Sequence, residues 1–371
     1  TPRGLRPLPD GMTPTGPTRF VPVLRSRTLG PRGVVRAGLE PLLARAATGD
    51  DVSVGEFVTR RFGAQVCDRL VQPLLGGIHA ADVHDLSLQA IAPPLAQLRT
   101  SGDSVLLTQL RRRRATPATT TGGRPPGFTT FTGGLTTLTD ALLTGTTVTV
   151  RTSTGATALD RDTDGTWQVT TSRGDVLPAD GVVLAVPPHA ATSLLGHAPD
   201  AVAALAGIRT TSVVTVLLAL PRGATSGRGT GLLVPPGGFL RAAVMLTAKW
   251  PHLADLPHDL VRLSAGRAGE EDVTELDDQT ILRRVRRDLR DLLGVTADPV
   301  DVLVRRLPRA MPLMEVGHTA RIRAARAALA DHPGLVLAGA AYDGASLGAC
   351  VTSGERAATA LAMTPQREAV R

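Results

Sequence analysis

The sequence predicts an α/β protein of two domains, with the chain passing between them more than once. Three observations carry that reading. Residues from Arg19 to about Leu110 are patterned mostly as helix. From Phe128 short apolar runs suited to strands alternate with helical ones. The closing stretch Gly334–Glu355, GLVLAGAAYDGASLGACVTSGE, reads as strand, loop of small residues and helix. At 371 residues the chain can bury more than one core.

The closing stretch organises the rest. Leu335 to Ala338 is fully apolar, as a parallel strand buried on both faces requires. Gly339 ends it, and Ala340, Ala341, Gly344, Ala345, Ser346, Gly348 and Ala349 form a loop without bulk. Ser353 is expected to N-cap a helix that Gly354 and Glu355 open. Such a strand, loop and helix N-terminus let a large ligand lie against backbone, and the free N–H groups favour negative charge on it. A packed helix–strand crossing in an ordinary core reads the same residues equally well.

Residues 1–18, rich in Pro and Gly, are expected to be a connector. Residues 19–125 form the helical part. There Ser53 to Glu56 is a capping box, Phe57, Val58 and Phe62 follow at helical spacing, and Gly63 ends the helix. Val66, Cys67, Leu70 and Val71 carry the next helix to Pro73, after which LLGGIHAADVHDLSL is a glycine turn. Its histidines, His79 and His84, lack further ligands nearby in sequence, so no metal site is expected. Arg111 to Arg114 reads as a solvated helix end, with an anionic membrane surface as the sharper alternative.

Residues 126–200 carry a helix in LTTLTDALL, strands at Val148–Val150, Trp167–Thr171 and Gly181–Val186, and a helix from Pro188 to Leu195. Residues 201–308 hold longer strands at Thr210–Leu220, Gly231–Pro235, Leu240–Leu246 and Leu260–Gly266. They also hold a helix from Thr274 to Gly294, apolar on one face and rich in Arg and Asp on the other, which therefore covers a sheet. A strand at Val300–Leu307 follows. Residues 309–371 return with a helix at Thr319–Leu329 and the closing stretch.

Composition narrows the function. Hydrophobic residues at 42% and charged ones at 20% suit a globular protein, and aromatics at 2% leave little for stacking single-stranded nucleic acid, so no nucleic-acid partner is expected. The net charge of +8 is almost wholly arginine, Lys249 being the only lysine. It admits an anionic membrane surface or a polycarboxylate substrate. Cys67 and Cys350 are far apart and read as core thiols. No run is long enough to span a membrane and no signal peptide is visible.

Four stretches read together resemble the FAD-dependent protoporphyrinogen and coproporphyrinogen oxidases of haem synthesis, bacterial members above all. They are SVGEFVTRRFGAQVCDRLVQPLLGGIHAADVHDLSL (53–88), FTTFTGGLTTLTDAL (128–142), MPLMEVGH (311–318) and GLVLAGAAYDGASLGACVTSG (334–354), with VRLSAGRAGEE (261–271) in support. The resemblance implies a flavin amine-oxidase-like fold. Residues 126–200 and 309–371 would belong to the FAD domain, 201–308 to the substrate domain, and 19–125 to its helical, membrane-facing part. It implies flavin contacts at Ala340, Ala345, Ser346 and Leu347, and a backbone contact to the adenine end at Ala156. It places Gly77, Leu233 and Arg262 in the porphyrinogen pocket.

The activity implied is oxygen-dependent oxidation of coproporphyrinogen III or protoporphyrinogen IX, by hydride transfer from meso carbons to FAD, in the cytoplasm with a peripheral contact to the inner face of the membrane. No side chain is assigned as general base. The chain departs from the family in Pro312-Leu313-Met314, where Pro-Gln-Tyr is usual, in the small residues of Gly344–Cys350, and in having no GxGxxG motif. The expectation is that about ninety residues bearing that motif precede Thr1 in the parent protein. Another flavin amine-oxidase-like desaturase or oxidase, and a non-catalytic porphyrin-binding remnant, stand as alternatives; LLGGIHA argues against the first, and FAD retention would separate the second.

Overall fold

The computed structural model describes residues 5–9, 12–13, 16–17, 20–47, 49–115 and 129–363, so half of the expected connector lies outside the described residues. The first block is helical, as its periodicity predicts. Ser53 caps α1 (Val54–Phe62), its Oγ accepting the Glu56 N–H at 3.0 Å, while the Glu56 carboxylate pairs with Arg60 instead of returning to the cap. The next helix, α2 (Cys67–Gly76), does not stop at Pro73 but is wound as a π-helix through it. Proline in an α-helix crowds the carbonyl of residue i−4; a wider i→i+5 winding relieves that clash. Winding continues over Gly77–His79 and ends at Ala80, which adopts φ 53°.

Phe57, Cys67, Leu70, Leu75 and Leu88 share one apolar core with Leu313 from the far end of the chain. Glu40 is fully buried beside it. Its carboxylate accepts N–H bonds from Val105 at 2.9 Å and Leu106 at 3.2 Å, and one from Arg61 at 3.3 Å. It thereby starts α3 (Val105–Ala115), whose last turns carry the exposed Arg111 and Arg112.

After α4 (Thr136–Leu143) the expected strand at Val148–Val150 does not form. It has no ladder partner among the described residues, and Val148 and Val150 are 64% and 57% exposed. Apolar alternation makes a strand only where another strand satisfies its backbone. The pairing strands are β1 (Ala156–Arg161), β2 (Trp167–Thr171) and β3 (Val176–Ala179), an antiparallel sheet, followed by β4 (Val182–Leu184). Leu159 and the fully buried Trp167 join Leu184, Leu195, Leu205, Ile322 and Leu337 in a second core.

A five-stranded antiparallel sheet comes next, from β5 (Thr210–Pro221), β6 (Gly231–Leu233), β7 (Leu240–Met245), β8 (His258–Ala265) and β9 (Asp301–Pro312), ordered β9-β5-β8-β7-β6. Helix α5 (Asp278–Leu293) starts at Asp278 and not at Thr274, because the Asp277 carboxylate caps it by accepting the Thr280 N–H at 2.8 Å. Ile281, Val285, Leu289 and Leu293 of α5 form a third core with Val216, Ala243 and Leu263 of the sheet. One face is therefore closed by the helix, as its amphipathic pattern predicts.

Helix α6 (His318–Ala328) leads to β10 (Leu335–Leu337), which pairs in parallel with β4. Gly334, at φ 85°, makes the entry turn; a Cβ there would lie 2.9 Å from the Asp180 carbonyl oxygen. The final helix, α7 (Leu347–Ala362), is capped by Ser346 and not by Ser353. Gly344, at φ 121°, turns the chain just before Ser346, whose Oγ accepts the Ala349 N–H at 3.1 Å. Ser353 lies inside the helix, 1% exposed. Of the two cysteines expected in the core, Cys67 is buried but Cys350 is half-buried near the start of α7.

Candidate functional site

Two places combine backbone access with unusual side chains. The first is the loop between β10 and α7. Gly339, at φ 110°, opens a single turn over Ala340–Asp343, and Gly344 closes it. Ser353 braces this turn from behind: its Oγ accepts the Gly339 N–H at 2.8 Å and donates to Asp343, whose carboxylate also accepts from Arg326 at 2.7 Å. Burial pushes the Asp343 carboxyl up, but the hydrogen bonds from Arg326 and Ser353 outweigh it and hold the pKa below the usual value. Ala345, Ser346, Leu347 and Gly348 are exposed, and a Cβ on Gly348 would meet nothing within 4 Å. The first amides of α7 have no intrahelical acceptor, so open space faces free N–H groups at the positive end of a helix of 16 residues.

Ala340 and Ala345 to Leu347 are thus brought together on one loop, and the helix N-terminus expected at Ser353–Glu355 lies at these residues instead. This loop is open, small in its residues apart from Leu347, and lined with backbone donors. Ala156 sits on a different element, exposed at the start of β1 and paired with Thr171.

The second place is the face of the five-stranded sheet away from α5. Strand alternation sends Leu232, Ala243, Leu263 and Val216 to the helix, so the neighbouring rungs point the other way. One rung runs Leu233, Ala242, Ser264, Thr215; the next runs Gly231, Val244, Arg262, Leu217. The end of the helical block closes on this face: a Cβ at Gly77 would lie 3.9 Å from Leu233 Cδ2, and the Ala268 N–H donates to the Ala80 carbonyl at 2.8 Å. Gly77, Leu233 and Arg262, far apart in sequence, are therefore brought to one face of the sheet.

The sequence reading did not single out the buried cations there. Between Ser264 and Ala265 of β8 the pairing slips, so that Leu240 opposes Ala265, Ala242 opposes Ser264, and Arg241 is the extra residue of a bulge. Arg241 and Arg267 are 7% and 5% exposed. Burial first, then the charges of Arg267 and Arg262, push the Arg241 pKa down to about 10. The same burial, with the Arg241 charge, pushes the His79 pKa down to about 4, so this imidazole is neutral at pH 7. The only signal in the sequence was arginine placed within or just after apolar strands.

MPLMEVGH links these regions. The Leu313 N–H donates to the Arg209 carbonyl at 2.9 Å beside the sheet, the Ser87 N–H donates to the Met314 carbonyl at 2.8 Å in the helical block, and buried His318 meets the Ala341 backbone. Elsewhere, ligand atoms of Cys67, Asp68 and His84 lie within 4.8 Å of one another. The Cys67 thiol, its pKa raised by burial, packs there 3.8 Å from His84 Nε2.

The family described as flavin containing amine oxidoreductase matches residues 12–362. A coproporphyrinogen III oxidase of Bacillus subtilis (strain 168) is 31% identical over 362 residues, covering 96% of this chain and 77% of its own. One from Mycobacterium leprae (strain TN) is 37% identical over 316 residues, covering 84% of this chain and 68% of its own. A solved structure from Exiguobacterium sp. 255-15, provisionally assigned as a protoporphyrinogen oxidase, superposes with a TM-score of 0.78 at 28% identity, over 98% of this chain and 77% of that one.

Proposed function

This chain belongs to the flavin containing amine oxidoreductase family, and on that premise we propose that it oxidises coproporphyrinogen III to the porphyrin, with FAD as cofactor and molecular oxygen as final oxidant. The observation that carries the substrate is the sheet face on which Gly77 meets Leu233 beside Arg262. Gly77 keeps side-chain bulk away from Leu233, Val244 and Leu217 offer apolar surface to a macrocycle, and the arginines offer cations to its carboxylates. The names of the relatives point the same way.

FAD, when bound, supplies the hydride acceptor that no side chain provides. The residues that would hold it are those of the 340–348 loop: Ala340 and Ala345 admit the ring by being small, and the amides of Ser346 and Leu347 favour its electron-rich edge. Ala156 would contact the adenine end through backbone. No side chain is assigned as a general base, and neutral His79 stands beside the pocket without a step ascribed to it.

In this reading residues 126–200 and 309–371 carry the cofactor, 201–308 the substrate, and 19–125 the helical wall. No helix among the described residues is long and apolar enough to cross a membrane. Val35 and Leu42, 64% and 76% exposed, with the exposed Arg32 one turn before Val35, suit a peripheral contact with an anionic surface at the cytoplasmic face. The test is turnover of coproporphyrinogen III and protoporphyrinogen IX by the full-length, flavin-loaded protein in air, read by porphyrin fluorescence. The four-carboxylate substrate should be oxidised with the higher kcat/KM. Oxidation of neither would sink the proposal.

A further inference from the structure

Most buried guanidinium groups are spoken for by carboxylates or carbonyls, because an unpaired buried charge is costly. Arg61 obeys the rule, with Glu40 and backbone carbonyls around it. Arg241 does not, and Arg267 obeys it only in part. Among the described residues Nε and Nη1 of both have no hydrogen-bond partner, although both residues are more than nine-tenths buried. Arg267 donates only from Nη2, to the Val234 carbonyl at 2.7 Å, and its Nε faces Glu270 at 3.6 Å, beyond hydrogen-bonding length. Among the described residues, the charges that act on Arg241 are those of Arg267 and Arg262, also cations.

The fold builds this arrangement. The bulge in β7 sets Arg241 next to the rung of Leu233 and Ala242, and the Val234 N–H donates to the Arg241 carbonyl at 2.9 Å while the Val234 carbonyl holds Arg267. The two guanidinium groups thus flank the end of β6, where Gly77 and His79 close over the sheet.

We propose that Arg241 and Arg267 form a pre-built carboxylate clamp that anchors an acid arm of the porphyrinogen, with Arg262 at its more exposed side. This rests on the substrate reading above and adds to it which residues grip the substrate and by what group. Guanidinium is a planar fork of donors that a carboxylate oxygen pair satisfies bidentately, so one acid arm meets donors left open on both arginines. The ligand-free protein keeps these donors buried and unsatisfied, which costs it stability and prepays the ordering of the site.

The test uses the full-length flavin-loaded protein and three probes: coproporphyrin III, its tetramethyl ester, and citrate. Wild-type protein should bind the acid more tightly than the ester, and the acid should raise the melting temperature more than the ester does. Arg241→Met should leave the ligand-free melting temperature unchanged or higher, since it removes an uncompensated charge. It should weaken coproporphyrin binding roughly ten- to one-hundred-fold, as loss of a charge-assisted hydrogen bond does, and leave ester binding unchanged. Arg241→Lys should recover part of the affinity.

Unchanged affinity for the acid in Arg241→Met overturns the clamp, and so does a variant that fails to fold, because the guanidinium would then be a structural group. Equal stabilisation by citrate would make it a general anion site and refute the assignment to substrate. Wild-type protein that binds acid and ester alike refutes the clamp alone, whereas binding of neither refutes the substrate reading with it.

Discussion

Ser353 offers a sharp test of how the cofactor loop is held. As a helix N-cap it would be replaceable by Asp at little cost, and its loss to Ala would cost about 1 kcal/mol. In the structure it is a buried brace instead. Its Oγ accepts the Gly339 N–H at 2.8 Å and donates to the Asp343 carboxylate. Ser353→Ala removes one neutral bond, net about 1 kcal/mol, and one bond to a charged group, about 1.5–3 kcal/mol. The expected loss is therefore about 2.5–4 kcal/mol. Ser353→Asp should be at least as harmful, because it sets a second carboxylate against Asp343 in a site that is 1% exposed. Urea unfolding at pH 7 reads both variants, and flavin content of the full-length protein reads the loosened loop. A loss of about 1 kcal/mol or less in Ser353→Ala, or an Asp variant as stable as wild type, would refute the brace and restore the cap.

The Asp343 carboxyl adds a pH dependence: its pKa is depressed in the folded state, so its contribution is complete above the ordinary value of about 3.9 and is lost as pH falls from there through the folded value. Acid unfolding of Ser353→Ala should show a shallower slope in that window. His79 acts in the opposite chemical sense but the same direction of pH: its folded pKa of about 4 lies below the ordinary 6.5, so protonation favours the unfolded chain and stability falls from about pH 6.5 to about 4. His79→Gln should flatten that segment of the stability–pH curve. Glu40→Ala should cost about 3–5 kcal/mol in urea unfolding, since it strands buried Arg61 and uncaps α3. Ser346→Trp, at an exposed position, should abolish flavin absorbance of the full-length protein while leaving its far-UV circular dichroism near native; a fully yellow, active variant would show that this loop does not face the cofactor.

Much of this protein was legible before folding. The N-cap at Ser53, the amphipathic pattern of α5, the parallel strand Leu335–Leu337 and the glycine-bounded loop after it are written in residues a few positions apart, where propensity and periodicity act. The resemblance also placed Gly77, Leu233 and Arg262 in one pocket, and the structure brings them onto one face. Tertiary packing decided the rest. Val148–Val150 has the pattern of a strand, but a ladder needs a neighbour that sequence does not name. Ser346 and Ser353 are both acceptable caps, and the turn at Gly344 selects the first and buries the second. Pro73 should end a helix, yet a change of winding carries the chain past it. Arg241 and Arg267 look like any other arginines in a basic chain. Only the bulge in β7 and the closure of Gly77–Ala80 over the sheet bury them with Nε and Nη1 unsatisfied, because desolvation depends on what the whole fold brings near and not on local sequence.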